Sequence, residues 1–357
     1  MKHIKGYDGL RAFSILLVVL NHMGMDEWWP QTEFFNTRFF QLFSGNAGVN
    51  VFFTLSGFLI TLILIREYAS KGKIHFKNFF IRRFIRLLPP LVLFYAMVIV
   101  LMATGQLNPE YKGLLISMFY LYNFVPELYY TPELGHTWSL ALEEQFYLTW
   151  PFVLSWFYKG KKLPYILIGG ILLCAVAMYA GLHLYIPFEH NGKIHSLLQD
   201  GFKPHRFFFP AVAPILIGCG AAFWVSRHGD YLKNLILTNN TITLIKVVVL
   251  YSAGLYLPNV MLPYGFIFQA LGVGMLLCWL YYNQEARLTK ALEIAPLVYI
   301  GKISYGIYVY QGLFLTTGPT GLLPIQQFPL NISLVILLSV MSYHLMEKPI
   351  LKLKKRF

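Results

Sequence analysis

Apolar residues recur along this chain in runs of roughly 15–20, and that feature leaves it few folds. A bilayer core about 30 Å thick is crossed by about 20 helical residues. A chain in which such runs follow one another is therefore a polytopic membrane protein, an all-α helix bundle. Composition agrees: 57% of residues are hydrophobic and 13% charged, too little charge to clothe a soluble domain of this size.

Spans are expected near Leu10–Met23, Asn46–Ile65, Leu87–Thr104, Leu140–Phe157, Leu163–Leu184, Phe207–Val225, Thr241–Leu257, Leu262–Tyr281, Tyr299–Thr317 and Leu330–Met346. That gives about ten transmembrane helices. Leu114 to Phe124 is apolar but too short to cross, so it reads as a re-entrant or interfacial segment. With the N-terminus inside, most Lys and Arg residues fall in cytoplasmic loops, whereas the outer loops hold only Arg38, Lys112, Lys193, Lys203 and Arg206. An eleventh span would place the basic tail outside, against the positive-inside bias. Both termini are thus expected in the cytoplasm. The net charge of +13 reflects that topology and contact with anionic lipids, and calls for no nucleic acid. The basic start and first apolar stretch lack a small-residue cleavage pattern and read as a retained span. Cys174, Cys219 and Cys278 stand isolated in apolar runs without disulfide or metal-ligand spacing, so packing is their expected role and no metal is expected. The longest outer loop runs from Tyr185 to Arg206, and the chain reads as one membrane domain, 1–357, with no appended soluble domain.

Four constellations could carry chemistry. In the first span Arg11 and His22 lie eleven positions apart; eleven steps of about 100° return to within about 20° of the starting direction, about 16 Å along the axis. Ionisable groups at the centre of a span cost about 2.5–3.5 kcal/mol on an insertion scale, and imidazole exchanges protons near neutral pH. An interfacial histidine and a snorkelling arginine would account for the pair equally well. Asn21 adds a polar neighbour to the ring. The second is GVNVFFTLSGFLIT, Gly48 to Thr61, where Ser56 and Gly57 permit close approach of another helix or of a ligand chain. The third is the segment KNFFIRRFIRLLPPL, read as a cytoplasmic loop before a proline-started span. There Arg82, Arg83 and Arg86 suit the phosphates of a cytosolic ligand such as coenzyme A or a nucleotide, or serve as a topological anchor. The fourth is HTWSLALEEQFYLTWP, His136 to Pro151. Ser139 reads as a helix cap with Glu143 in or just past the first turn; alternatively Glu143 orients and stabilises an imidazole. Glu143 and Glu144 point about 100° apart, so one of them faces a site.

At these residues the chain resembles the membrane acyltransferase 3 family. YDGLRAFSILLVVLNH is similar to its opening motif of a basic residue, ten positions and a histidine. GVNVFFTLSGFLIT, RRFIRLLPP and HTWSLALEEQFYLTWP resemble its next three signatures, and ISYGIYVYQ (Ile303 to Gln311) and EKPILK its last. The resemblance covers Tyr7 to about Lys352. It implies an integral O-acyltransferase of the bacterial cytoplasmic membrane that moves an acyl group, usually acetyl, from cytosolic acyl-CoA to a sugar hydroxyl of a lipid-linked or surface polysaccharide. It implies His22 as catalytic base, Arg11 as its paired basic residue and Glu143 as the acidic member. Arg82, Arg83 and Arg86, with Ser56 and Gly57 beside the path, would form the coenzyme A end. Gln311 stands where many members carry a histidine and receives no catalytic role. A transporter or flippase of lipid-linked sugars is the alternative, but the chain has no internal repeat and no paired broken helices.

Overall fold

The computed structural model describes residues 3–23, 40–108, 110–160, 162–183, 187–190, 193–196, 203–237, 240–256, 261–315 and 323–353. Its helices are α1 (Tyr7–His22), α2 (Gly45–Lys71), α3 (Phe76–Ala103), α4 (Tyr111–Met118), α5 (Thr137–Phe157), α6 (Leu163–His183), α7 (Phe208–Ala211) and α8 (Ala213–Arg227). They continue with α9 (Gly229–Leu237), α10 (Asn240–Tyr256), α11 (Met261–Tyr282), α12 (Arg287–Leu292), α13 (Ala295–Phe314), α14 (Leu330–Ser342), a π-turn over Tyr343–Glu347 and α15 (Lys348–Leu353).

Every expected span falls on one of these helical stretches; the span ends expected at Leu184, Leu257 and Thr317 lie outside the described residues. Among the described residues, five helices are long and apolar enough to cross a membrane by themselves: α2, α3, α6, α11, and α14 with its continuation. The chain is an integral membrane protein. The other rods fall short for identifiable reasons. α8 has 15 residues and α10 has 17; α1 has 16 and carries Asp8, Arg11 and His22. Glu143 and Glu144 dilute α5, and Lys302 with a run of tyrosines and glycines dilutes α13.

One expectation changes. The stretch carrying Arg82, Arg83 and Arg86 is no loop: α3 starts at Phe76 and runs through Pro89 and Pro90. Proline removes a backbone donor and crowds the preceding turn, which is why the sequence reads as a boundary there. The Tyr305 hydroxyl, from α13, donates to the Leu87 carbonyl at 3.0 Å, which ties α3 to a neighbouring helix where it passes through the prolines. The all-α reading holds, with one small addition: between α6 and α7 lies a two-stranded antiparallel hairpin, β1 (Pro187–His190) and β2 (Lys193–Ser196), with Phe188 opposite His195. The strands flank the dipeptide Asn191-Gly192, whose readiness to take positive φ makes it a strong hairpin signal.

Small residues set the helix spacing. A Cβ on Gly57 would meet the Ile215 carbonyl of α8, and one on Gly218 the Thr54 carbonyl of α2, so these two backbones touch. α1 is held the same way: Gly9 lies against Leu292, Gly301 of α13 against Asp8, and Gly48 of α2 against Ser14. The Ser14 hydroxyl donates to the Gly48 carbonyl at 2.7 Å. At the N-terminus, Gly6 takes a left-handed φ of 90° and its N–H donates to the Glu293 carboxylate at 2.6 Å. The result is a tight core of α1, α2, α8 and α13, with α3, α6 and α14 largely exposed on the periphery. Cys174, Cys219 and Cys278 are buried and free.

Candidate functional site: a file of cavities along α1

One stripe of α1 faces the interior. Arg11, Ile15, Val18 and His22 are spaced four, three and four apart and so stack along one side of the helix. Arg11 lines a cavity at the end formed by the start of α3, while Ile15 and Val18 line the next one along. The arginine is neutralised locally: its guanidinium donates to the Asp8 carboxylate at 2.8 Å. His22 continues the stripe at the far end of the helix. Its Nδ1 lies 2.8 Å from the Val18 carbonyl; a carbonyl only accepts, so Nδ1 carries the proton and Nε2 holds the free lone pair of the neutral ring. Asn21 does not assist the imidazole. Its carbonyl accepts from the Gly45 N–H at 2.9 Å, tying α1 to the first turn of α2.

The α3 arginines separate by helical phase. Arg83 and Arg86, three apart, line the same cavity as Arg11. Arg82 is about 100° away on the helix; it is not among the lining residues and pairs with Glu67 at 3.2 Å. Facing the arginines is Glu143 on α5, 6% exposed, accepting from the Tyr147 hydroxyl at 3.0 Å. Tyr147 meets Ser56 of α2 through a hydroxyl contact of 2.5 Å, and the Arg83 guanidinium lies 4.4 Å over the Tyr147 ring. Glu143 thus stands as counter-charge to Arg83 and Arg86 in a wall of low polarity, where unpaired charge is strongly unfavourable.

Three cavities follow one another through the bundle. The arginine cavity holds about 40 Å³. It shares Phe52, Glu143 and Tyr305 with a central one of about 10 Å³, which also touches Ser14, Ser139 and Tyr308. The central one shares Val49 and Phe53 with a cavity of about 110 Å³ at the opposite end, walled by Asn46, Asn50, Trp138, His205 and Arg206 among others. Together they form a file from the guanidinium cluster to the far face of the bundle.

Several sequence-derived placements shift. Glu143 is not brought to His22. It is seven residues, or about 10 Å of helix, from His136, and His136 is the residue whose charge would interact with that of His22. The His136 ring is buried against Phe94 and Tyr308, with ring centroids at 5.3 and 5.6 Å. Ser139 is no cap: the helix starts at Thr137, and the Ser139 hydroxyl donates to the His136 carbonyl at 3.1 Å and meets the Tyr308 hydroxyl. Gly57 faces α8 instead of the file, which leaves Ser56 alone of that pair beside the cavity. Gln311 is fully buried, and neither end of its amide finds a partner among the described residues. Sequence reasoning passed over Tyr147, Tyr305, Tyr308 and Arg206; the four-residue spacing of Glu143 and Tyr147 on one helix face was the available signal for the first. Among the described residues no three His, Cys, Asp or Glu side chains gather as a metal site would need.

A family profile described as an acyltransferase domain, Acyl_transf_3, matches residues 4–344. The peptidoglycan O-acetyltransferase OatA of Listeria monocytogenes is 30% identical over 98% of this chain and 56% of its own length. YrhL of Bacillus subtilis, named as a candidate peptidoglycan O-acetyltransferase, is 29% identical over 98% of the chain and 55% of its own length. The chain therefore spans about half the length of the curated relatives it matches. No solved structure matches it.

Proposed function

The chain belongs to the acyltransferase 3 family, and from that premise we propose that it is a membrane O-acetyltransferase that takes acetyl from cytosolic acetyl-CoA and delivers it to a sugar hydroxyl across the bilayer. The observation that carries this reading is the file of cavities, with Arg11, Arg83 and Arg86 gathered at one end and Asn46, Asn50, Trp138 and Arg206 at the other. A cytosolic thioester and an extracytoplasmic acceptor need such a route, and α1, which lines it with Arg11, Ile15 and Val18, carries the imidazole of His22 one turn beyond Val18.

Arg11, Arg83 and Arg86 hold the phosphates of the donor, since guanidinium binds phosphate oxygens through paired hydrogen bonds and stays charged. The thioester arm then lies along α1 toward His22, about 16 Å from Arg11. His22 Nε2 takes the proton of the acceptor hydroxyl as its oxygen bonds to the thioester carbonyl carbon. The carbon–sulfur bond breaks, coenzyme A leaves as thiolate, and the proton passes from His22 to the sulfur. Ester and thiol are the products, and the imidazole returns to its starting state. Glu143, with Tyr147, balances the donor-end arginines.

The relatives named peptidoglycan O-acetyltransferases direct the acceptor reading toward a cell-wall glycan or its lipid-linked precursor. The topology that goes with it has ten spans and both termini on the cytoplasmic face of a bacterial cytoplasmic membrane. The test is purified protein in liposomes, with radiolabelled acetyl-CoA outside and a glycan acceptor trapped inside. Labelled ester in the lumen with equimolar release of free coenzyme A supports the assignment. Intact acetyl-CoA, or donor hydrolysed with no lumenal ester, overturns it.

A further inference from the structure

The cavity farthest from the donor-end arginines has features that nothing in the reaction above uses. It is the largest of the three, about 110 Å³, approaching the roughly 150 Å³ that accepts a benzene-sized ring in an engineered protein cavity. Two buried polar atoms on its lining residues lack hydrogen-bond partners among the described residues: a terminal guanidinium nitrogen of Arg206 and the side-chain carbonyl of Asn50. Asn50 is 3% exposed, and its amide nitrogen is already committed to the Phe266 carbonyl and Gln269, both at 3.0 Å, so its carbonyl is fixed in direction. Arg206 is held by rings, its guanidinium carbon 5.5 Å over Trp138 and 6.0 Å over Tyr130. The nearby cation Lys203 is otherwise engaged, pairing with Glu127 at 3.3 Å and lying over Tyr130. A buried donor on a charged group and a buried acceptor left unmade are each unfavourable; both are relieved by a ligand that brings an oxyanion to one and a hydroxyl to the other. Trp138 adds an aromatic wall one residue before Ser139 of the central cavity.

We propose that this cavity is the acceptor subsite and that it selects a sugar bearing an oxyanion: Arg206 binds the anion, the Trp138 ring packs against the pyranose, and the Asn50 carbonyl accepts from a sugar hydroxyl. The inference rests on the acyltransferase reading for its purpose but is measured by binding alone, so the two fail separately. The oxyanion belongs either to a sugar carboxylate or to the phosphate linking the sugar to a carrier.

The experiment titrates the detergent-solubilised full chain with glucose, glucuronate and glucose 6-phosphate by saturation-transfer NMR, for wild type, Arg206→Gln and Asn50→Ala. At least one anionic sugar should bind about tenfold or more tightly than glucose, the scale of a charge-assisted hydrogen bond. Arg206→Gln should remove that preference while Asn50→Ala weakens all three alike. Glucuronate binding more tightly than glucose 6-phosphate assigns the anion to a sugar acid, and the reverse order assigns it to a carrier phosphate. Equal binding of the three sugars, no binding of any, or a preference that survives Arg206→Gln overturns the proposal. If either variant fails to give a cooperative melt, the wild-type comparison of charged with neutral sugar decides it.

Discussion

The three neighbouring arginines of α3 give the sharpest test of donor binding, because they are similar in sequence and differ in placement. Arg83 and Arg86 line the cavity with Arg11, whereas Arg82 is turned away to Glu67 at 3.2 Å. A hydrogen bond from guanidinium to a charged partner contributes about 1.5–3 kcal/mol, which at 1.4 kcal/mol per decade is about 10–150-fold in Kd. Arg83→Gln and Arg86→Gln should each weaken acetyl-CoA binding by that amount, with a smaller effect on turnover at saturating donor, since the phosphates are remote from the reacting carbonyl. Arg82 lies outside the cavity, and its partly solvated pair with Glu67 is worth about 0–1 kcal/mol, so Arg82→Gln should change donor affinity by less than about threefold. Removing Arg83 also strips Glu143 of a counter-charge, so each variant is measured again on a Glu143→Gln background. A loss that persists there comes from the phosphate contact; a loss that vanishes there comes from the stranded carboxylate. The assay is equilibrium binding of labelled acetyl-CoA to purified protein, with a thermal melt as the folding control. Wild-type affinity in the Arg83→Gln/Arg86→Gln double variant, or equal losses at Arg82 and Arg83, would refute the reasoning.

Three further outcomes follow from the geometry. His22→Ala should lower transfer about 10²–10⁴-fold, the usual worth of a positioned general base, with donor affinity retained; near-normal ester formation in the liposome assay would remove His22 from the mechanism. Gly218→Ala drives a Cβ into the Thr54 carbonyl and should destabilise by about 1–3 kcal/mol through overpacking, whereas Gly169→Ala on α6 meets nothing within 4 Å and should leave the melting temperature level or slightly higher; equal shifts would show that the α2–α8 contact is looser than described. Burial and the cations Arg206 and Lys203 push the His205 imidazole down to about 4, so between pH 6.5 and 4 the unfolded chain binds the proton first and stability falls as pH falls through that window. His205→Gln should flatten that part of the melting curve against pH, and an unchanged slope would count against the placement of His205 between those cations.

Much of the fold was legible because hydrophobic runs report membrane helices directly, and the stripe from Arg11 to His22 needed only helical phase. What the sequence concealed was long-range pairing. Prolines 89 and 90 looked like the start of a span, yet the helix passes through them, with a tyrosine from α13 bonded to the carbonyl just before them. Arg82, Arg83 and Arg86 looked interchangeable until Glu67 and the cavity gave them different partners. Ser56 and Gly57 are adjacent and similarly small, but a step of about 100° sends one to the cavity and the other into α8. Glu143 is buried in the wall of the arginine cavity; its neighbours there were not foreseeable, because they depend on how α5 meets α2 and α3. Asn50 and Arg206, separated by more than 150 residues, share a cavity that no local pattern announces.

The file is pinched at its centre, and that bears on how acetyl could cross without ions following it. The central cavity of about 10 Å³ sits at the lower limit of the roughly 10–15 Å³ needed to house one water, and Phe52 and Tyr305 form part of the wall it shares with the arginine cavity. A continuous water column beside three arginines would conduct anions and would hydrolyse a thioester held in it. A constriction with Phe52 and Tyr305 in its wall and room for about one water opposes both. Phe52 and Tyr305 lie on different helices, α2 and α13, which both pack against α1, the helix that carries Arg11 and His22. Glycine contacts hold α1 against α2 and α13, and Arg11 and His22 share α1, so rotation of the Phe52 and Tyr305 side chains would widen the pinch without altering the separation of those two residues.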